Sequence, residues 1–258
     1  MPEQYEAIEA LIHERKYNVV AISGDVSQRA RAGEFQRARE FIRKAEQAGA
    51  ETIVVPGNHD VAWWFAPLGL GDSARILAKY RAYISKDLEP VLRVAGATFV
   101  GLNTSQGVNR HTLTWNVRDI SIIGHLTRGQ IERARAEFEK SRADDARVIV
   151  MHHNPVKGEL SQRHGLKNTQ RILGAFAEMG VDLVLCGHDH QEAVHYIEHT
   201  KRGTIISTSG TISDRSRGGR PSSVNSIRIT DTDIEVSTLL WSNETREFAA
   251  GPVKCFTR

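Results

Sequence analysis

Residues 18–25, Asn-Val-Val-Ala-Ile-Ser-Gly-Asp, and residues 52–60, Thr-Ile-Val-Val-Pro-Gly-Asn-His-Asp, follow one pattern: a short β-branched apolar run breaks into glycine and then into residues that carry chemistry. Between them, residues 33–48 set Phe35, Ala38, Ile42 and Ala45 on one helical face, with Arg37, Arg39, Arg43 and Lys44 mostly outside. Gly49 follows as a C-terminal stop. Strand, helix and strand in this order predict a parallel βαβ unit.

The pattern recurs at Arg147–Met151 and at Val181–Cys186, each preceded by a helical segment, 127–141 and 168–179. Upstream, residues 3–16 place Tyr5, Ile8, Leu11 and Ile12 at helical spacing. Beyond residue 190 the character changes. The runs Ala193–Ile197, Thr204–Ser207, Ser226–Ile229 and Ile234–Leu240 alternate and read as antiparallel strands. The loosest stretches are 61–73, 105–119 and 213–223. No internal repeat or low-complexity linker divides the chain, so the reading is one domain over residues 1–258.

Composition narrows the classes. The chain has 258 residues, 40% hydrophobic and 25% charged, the profile of an ordinary soluble globular protein. A net charge of +3 is too small to suggest a nucleic-acid polymer as partner. No stretch approaches the ~20 apolar residues that span a bilayer, so no membrane partner is expected. The polar, mixed-charge start, MPEQYEAIEALIHERK, does not read as a signal peptide. Cys186 and Cys255 are the two cysteines, which excludes a disulfide framework or a cysteine zinc cluster and makes the cytoplasm the expected compartment.

Four polar clusters occupy one topological place, just past the carboxyl end of an apolar strand. They are Gly24-Asp25, Gly57-Asn58-His59-Asp60, His152-His153-Asn154-Pro155 and Gly187-His188-Asp189-His190. Loops at that edge of an α/β sheet converge into its ligand crevice. Carboxylate, carboxamide and imidazole donors without thiolates suit Mn, Fe or Zn, and glycine lets the backbone approach a phosphate closely.

Taken in this order, GD, GNHD, HH-x-P and GHDH resemble the calcineurin-like metallophosphoesterase superfamily. The flanking text SGDVSQRA, VVPGNHDV and CGHDH is most similar to its bacterial cyclic-nucleotide-phosphodiesterase-like branch. The likeness runs from about residue 19 to 210. It implies an α/β fold, a four-layer β-sandwich of two mixed sheets flanked by helices. It also implies a two-cation centre and a metal-bound hydroxide that hydrolyses a phosphodiester, with a cyclic nucleotide as one candidate. Asp25 would bridge both cations. Asn58, His152 and His188 would complete the second site, and His190 would belong to the first. His153 is the rival to His152, because sequence does not say which imidazole points inward. His59 would stand over the substrate phosphate with Asp60 orienting its ring, and Asn58 and Arg29 would help to hold the substrate.

Relatives open with a strand ending in Asp-x-His, and no such motif precedes Asp25, where His13 in the first helix is the sole histidine. The first strand of the fold is therefore expected to be lacking and the first metal site to be incomplete. A downstream start, a truncation or a divergent one-metal protein each account for this. The competing functional reading is an inactive phosphate- or nucleotide-binding protein with one cation; an assembly role is the third.

Other residues read more plainly. Trp63 and Trp64 form either an apolar wall for a base or core and oligomer packing, and a homodimer is compatible with the sequence. The loop Asp214–Arg220 either steers an anion or forms a soluble hairpin tip. His111, His125, His164, His195 and His199 lack companion motifs and are read as structural, and Cys186 as packing.

Overall fold

The computed structural model describes residues 2–62, 75–107, 123–158, 165–199, 203–213 and 218–258. Helix α1 (Pro2–Arg15) leads into β1 (Val19–Ile22), then α2 (Ala32–Gln47) and β2 (Glu51–Val54). The two strands pair in parallel, Val19 opposite Glu51 and Ile22 opposite Val54, as the βαβ reading requires. Helix α3 (Ala78–Tyr83) precedes the antiparallel pair β3 (Val91–Val94) and β4 (Ala97–Leu102). Next come α4 (Arg128–Glu139), β5 (Ala146–Met151), α5 (Thr169–Glu178) and β6 (Leu183–Cys186). The chain ends with β7 (Ala193–Ile197), β8 (Thr204–Thr208), β9 (Ser223–Ile229), β10 (Asp233–Ser242) and β11 (Glu247–Thr257).

The largest sheet has the order β3-β4-β5-β6-β8-β7, with β4, β5, β6 and β8 parallel and both edge strands antiparallel. Strand β8 therefore differs from the sequence expectation on one side: it runs antiparallel to β7 but parallel to β6. A second layer consists of the β1-β2 pair and the antiparallel sheet β11-β10-β9. The buried cluster between the layers joins Ile53 and Val55, at β2 and its end, to Phe99, Val148, Val150, Leu183, Ile234 and Val236. On the outer face of the large sheet, Val100, Ile149, Met151 and Val184 meet Ile131 and Phe138 of α4 and Ile172 and Phe176 of α5. On the far side, Ile8 and Ile12 of α1 and Phe41 of α2 pack against Leu239, Trp241 and Phe248. The layers thus run helix, sheet, sheet, helix. Each fully buried Leu, Ile or Phe in these seams contributes about 1.5–3 kcal/mol.

Among the described residues, β1 pairs with β2 alone and β9 with β10 alone, so each keeps one edge without a ladder partner. The Tyr17 hydroxyl, just before β1, reaches Ser226 Oγ of β9 at 2.9 Å. The apolar run Val-Val-Ala-Ile of β1 is half-exposed, whereas Ile53 and Val54 of β2 are buried. Trp63, Trp64, His111, His164 and residues 214–217 lie outside the described residues. No described helix is long and apolar enough to cross a membrane.

Candidate metal centre

The parallel strands β1, β2, β5 and β6 present their carboxyl ends at one edge, and all four polar clusters meet there. Past β1, Gly24 has φ +92° and Asp25 φ +54°, and past β6 both His188 (φ +74°) and His190 (φ +52°) are left-handed. Non-glycine residues rarely hold this conformation, and it concentrates at functional sites. Gly57 cannot carry a side chain: a Cβ there would lie 2.1 Å from Asp25 Oδ1 and 2.2 Å from its backbone nitrogen. The two loops touch because glycine lets them.

Four side-chain polar atoms converge at the edge. His152 Nε2 lies 2.9 Å from Asn58 Oδ1 and 3.4 Å from Asp25 Oδ1. His188 Nδ1 lies 3.1 Å from the same Asn58 oxygen and 3.2 Å from His152 Nε2. The tautomer of His152 follows from its other nitrogen. Nδ1 faces the Ser23 carbonyl at 2.7 Å, and a carbonyl only accepts, so Nδ1 carries the proton and Nε2 of the neutral ring is a lone pair. The Asp25 and Asn58 oxygens and His152 Nε2 all accept, so they are poorly matched to one another and well matched to a cation, in a set that His188 Nδ1 completes. Donors about 2.0–2.2 Å from one cation lie about 2.9–3.5 Å apart, the separations found. Donation of the other ring N–H to a backbone carbonyl, as from His152 Nδ1 to Ser23, is the usual support for a ligating histidine.

A second group lies beside the first. Ligand atoms of Asp25, His59 and His190 fall within 4.8 Å of one another, as do those of His152, His153 and His188. Sequence reasoning had not brought His59 into a donor group. Its backbone nitrogen donates to Asp25 Oδ1 at 2.9 Å, and its ring Nδ1 donates to the Gln28 carbonyl at 3.1 Å. Between the rivals, His152 rather than His153 makes the short contacts to Asn58 and Asp25. His153 is equally buried, with Nδ1 2.7 Å from Thr104 Oγ1. Thr104 went unnoticed because a lone hydroxyl after an apolar run carries no signal.

Asp60 departs from its expected role of orienting the His59 ring. Its Oδ1 accepts from the Ser27 nitrogen and hydroxyl, each at 2.8 Å, and its Oδ2 accepts from Gly57 N at 2.9 Å and Val26 N at 3.3 Å. It ties the one-turn helix Asn58–Asp60 to the loop after β1, and the Gln28 carbonyl orients His59 instead. Burial, then the nearby Asp25 charge, push the Asp60 carboxyl up to about 7, against the lowering by its N–H and hydroxyl donors. Arg29 is exposed, and its backbone nitrogen donates to Glu34 at 3.1 Å. Arg220 pairs with Glu192 at 3.0 Å, two residues past His190. Asn154 donates to Asp189 at 3.2 Å, bracing the turn that carries both histidines.

The sequence profile of calcineurin-like phosphoesterases matches residues 1–192. The chain belongs to that family. Its fold is similar to that of a purple acid phosphatase from yellow lupin (Lupinus luteus) seeds, with a TM-score of 0.67 and 11% identity over 99% of this chain and 49% of that one. The chain therefore spans about half the length of that phosphatase. Weaker likenesses reach a 5'-nucleotidase precursor from Thermus thermophilus (TM-score 0.44, 10% identity, 99% of this chain and 48% of that one) and Vps29 of Entamoeba histolytica complexed with Zn2+ (0.41, 12%, 97% and 87%). A comparison with curated protein sequences gives no significant match.

Proposed function

We propose that this protein is a metal-dependent hydrolase of phosphodiesters, cyclic nucleotides among the candidate substrates. The observation that carries the reading is the convergence of Asp25 Oδ1, Asn58 Oδ1, His152 Nε2 and His188 Nδ1 at 2.9–3.4 Å. In this proposal those four residues hold one divalent cation, of Mn, Fe or Zn by donor chemistry. Asp25 also faces the second group, where His190 would serve a second cation. Bound cations would neutralise phosphate oxygens and lower the pKa of water.

The remaining groups act on substrate. His59 has its Nδ1 committed to the Gln28 carbonyl, which aims Nε2 outward, toward the leaving oxygen of a phosphate held at the centre. The Asn58 amide and the exposed Arg29 are the proposed anchors for phosphate oxygens. Asp60 holds the turn on which Asn58 and His59 ride. Both cysteines are free thiols, one buried and one exposed, in keeping with a reducing cytoplasm as the proposed location.

Bis-p-nitrophenyl phosphate and cyclic AMP, assayed with added Mn across about pH 6–9, test the reading. Turnover that Asp25→Asn abolishes along with metal, and that His59→Ala abolishes while the Asn58-side cation stays, supports it. Tight phosphate binding without turnover of any ester would replace it with the binding-protein reading.

A further inference from the structure

His153 is a fully buried imidazole with no part in the chemistry above. It lies 1% exposed beside Thr104, which is 0% exposed. The Thr104 hydroxyl oxygen accepts from the His153 backbone nitrogen at 3.3 Å and lies 2.7 Å from ring Nδ1. One side chain therefore fixes both the backbone and the ring of its neighbour. The His153 ring packs on the His188 ring, centroids 4.6 Å apart at 45°, and edge-on to His152 at 4.8 Å and 81°. On another side stands Gly124, where a Cβ would come within 2.4 Å of His153 Cγ and Nδ1. Gly124 N donates to the Gly165 carbonyl at 2.7 Å, and a Cβ on Gly165 would come 3.2 Å from His188 Cδ2. Two residues of one backbone bridge thus close against the two rings, one glycine each.

His188 needs such support. Its φ of +74° is strained for a residue with a side chain, and it sits in a turn rather than on a strand, so its own backbone does little to hold the ring. We infer that Thr104 and His153, clamped by the Gly124–Gly165 bridge, form a positioning device that fixes the His188 imidazole with Nδ1 in the four-donor set. This rests on the metal-centre reading. His153 acts here through His188 and donates nothing to the cation itself. Outer groups of this kind commonly govern metal affinity by about 10–100-fold.

The test uses Co2+ as probe, read by equilibrium dialysis and by its visible absorption. Thr104→Val removes the hydroxyl at constant volume, and His153→Phe keeps a flat ring without the hydrogen bond. Both are expected to weaken Co2+ binding about 10-fold or more and to shift the absorption band, with the far-ultraviolet circular dichroism unchanged. Thr104→Ser, which restores the hydroxyl, is expected to restore affinity and spectrum. Wild-type affinity and spectrum in both Thr104→Val and His153→Phe would overturn the inference and leave the metal reading standing. Loss of Co2+ in His153→Phe as complete as in His152→Ala would make His153 a direct donor and overturn it too. A wild-type protein that takes up no Co2+ would overturn the metal reading and this inference together.

Discussion

His152 Nε2 lies 2.9 Å from Asn58 Oδ1, across 94 residues of sequence and between two different sheets. Because the Ser23 carbonyl commits the His152 proton to Nδ1, both facing atoms are acceptors. Such a pair gains nothing by itself and gains strongly from a shared cation. The chain holds it in place by packing: β2 and β5 enter the same buried seam through Ile53, Val148 and Val150.

It follows that Asn58→Ala and His152→Ala each lose the cation by more than the 10–100-fold that an outer partner costs. Dialysis followed by elemental analysis measures this. Both variants should fold, since removing one of several mutually repelling acceptors relieves the metal-free centre. Retention of a full equivalent of metal in both would place the cation elsewhere.

Gly57→Ala tests the approach of the two loops. The added Cβ meets the Asp25 backbone nitrogen at 2.2 Å, and backbone cannot swing aside as a side-chain tip can. The loops must separate, which displaces Asp25 from Asn58. A loss of about 2–4 kcal/mol in urea unfolding is expected, together with loss of metal. Gly49→Ala, a control with a left-handed φ of +94° but open space around it, should lose about 1–2 kcal/mol from strain and keep the metal.

The sequence revealed the parts of this fold that are buried on both faces. Thr-Ile-Val-Val, Arg-Val-Ile-Val-Met and Leu-Val-Leu-Cys are continuous apolar runs because their strands lie between layers, and each ends where polar residues must begin; Val-Val-Ala-Ile of β1 reads the same way although it is only partly buried. Strand β11 hid for the opposite reason. It is an edge strand, mostly exposed, broken by Gly251 and Pro252, so neither alternation nor a continuous run survives. The β3–β4 hairpin went unread because its apolar run, Ala97–Leu102, ends in asparagine and threonine rather than in a glycine-led cluster. Within the site, the residues that meet at the sheet edge were legible by residue type and topological place. The choice between His152 and His153 was not, since both are buried and only the surrounding loops decide which nitrogen meets Asn58.

Cysteine reactivity provides a test of the packing. Cys186 ends β6 in the large-sheet core, and burial pushes its thiol up to about 12, whereas Cys255 on β11 is exposed. Native protein should take up one equivalent of maleimide, at Cys255, and a second only in denaturant. Peptide mass mapping distinguishes the sites. Rapid labelling of Cys186 in native protein would contradict the burial of β6.

Tyr80 makes a case for a buried hydroxyl working at a distance from the chemistry. It is 0% exposed, and its hydroxyl donates to the Val54 carbonyl at 3.1 Å, at the end of the strand that leads to Asn58. Tyr80→Phe leaves that carbonyl without this partner, a loss of about 1 kcal/mol. The melting temperature should fall by about 2–4 °C, with metal affinity unchanged because Val54 is anchored by β1 as well, paired to Ile22.

Asp60 separates support from catalysis most sharply. Its two oxygens take four donors from Val26, Ser27 and Gly57, and none of these is the His59 ring. Asp60→Asn keeps the shape but turns one oxygen into an NH2 group, which must face backbone N–H donors whichever way the amide lies. The turn carrying Asn58 and His59 then loosens from the Asp25 loop. A stability loss of about 1–3 kcal/mol is expected, with metal affinity falling about 10-fold as Asn58 drifts from His152. Urea unfolding and Co2+ titration measure the two effects, which should appear together. A variant of full stability and full metal affinity that had lost only turnover would show that Asp60 acts on the reaction itself and not through the turn.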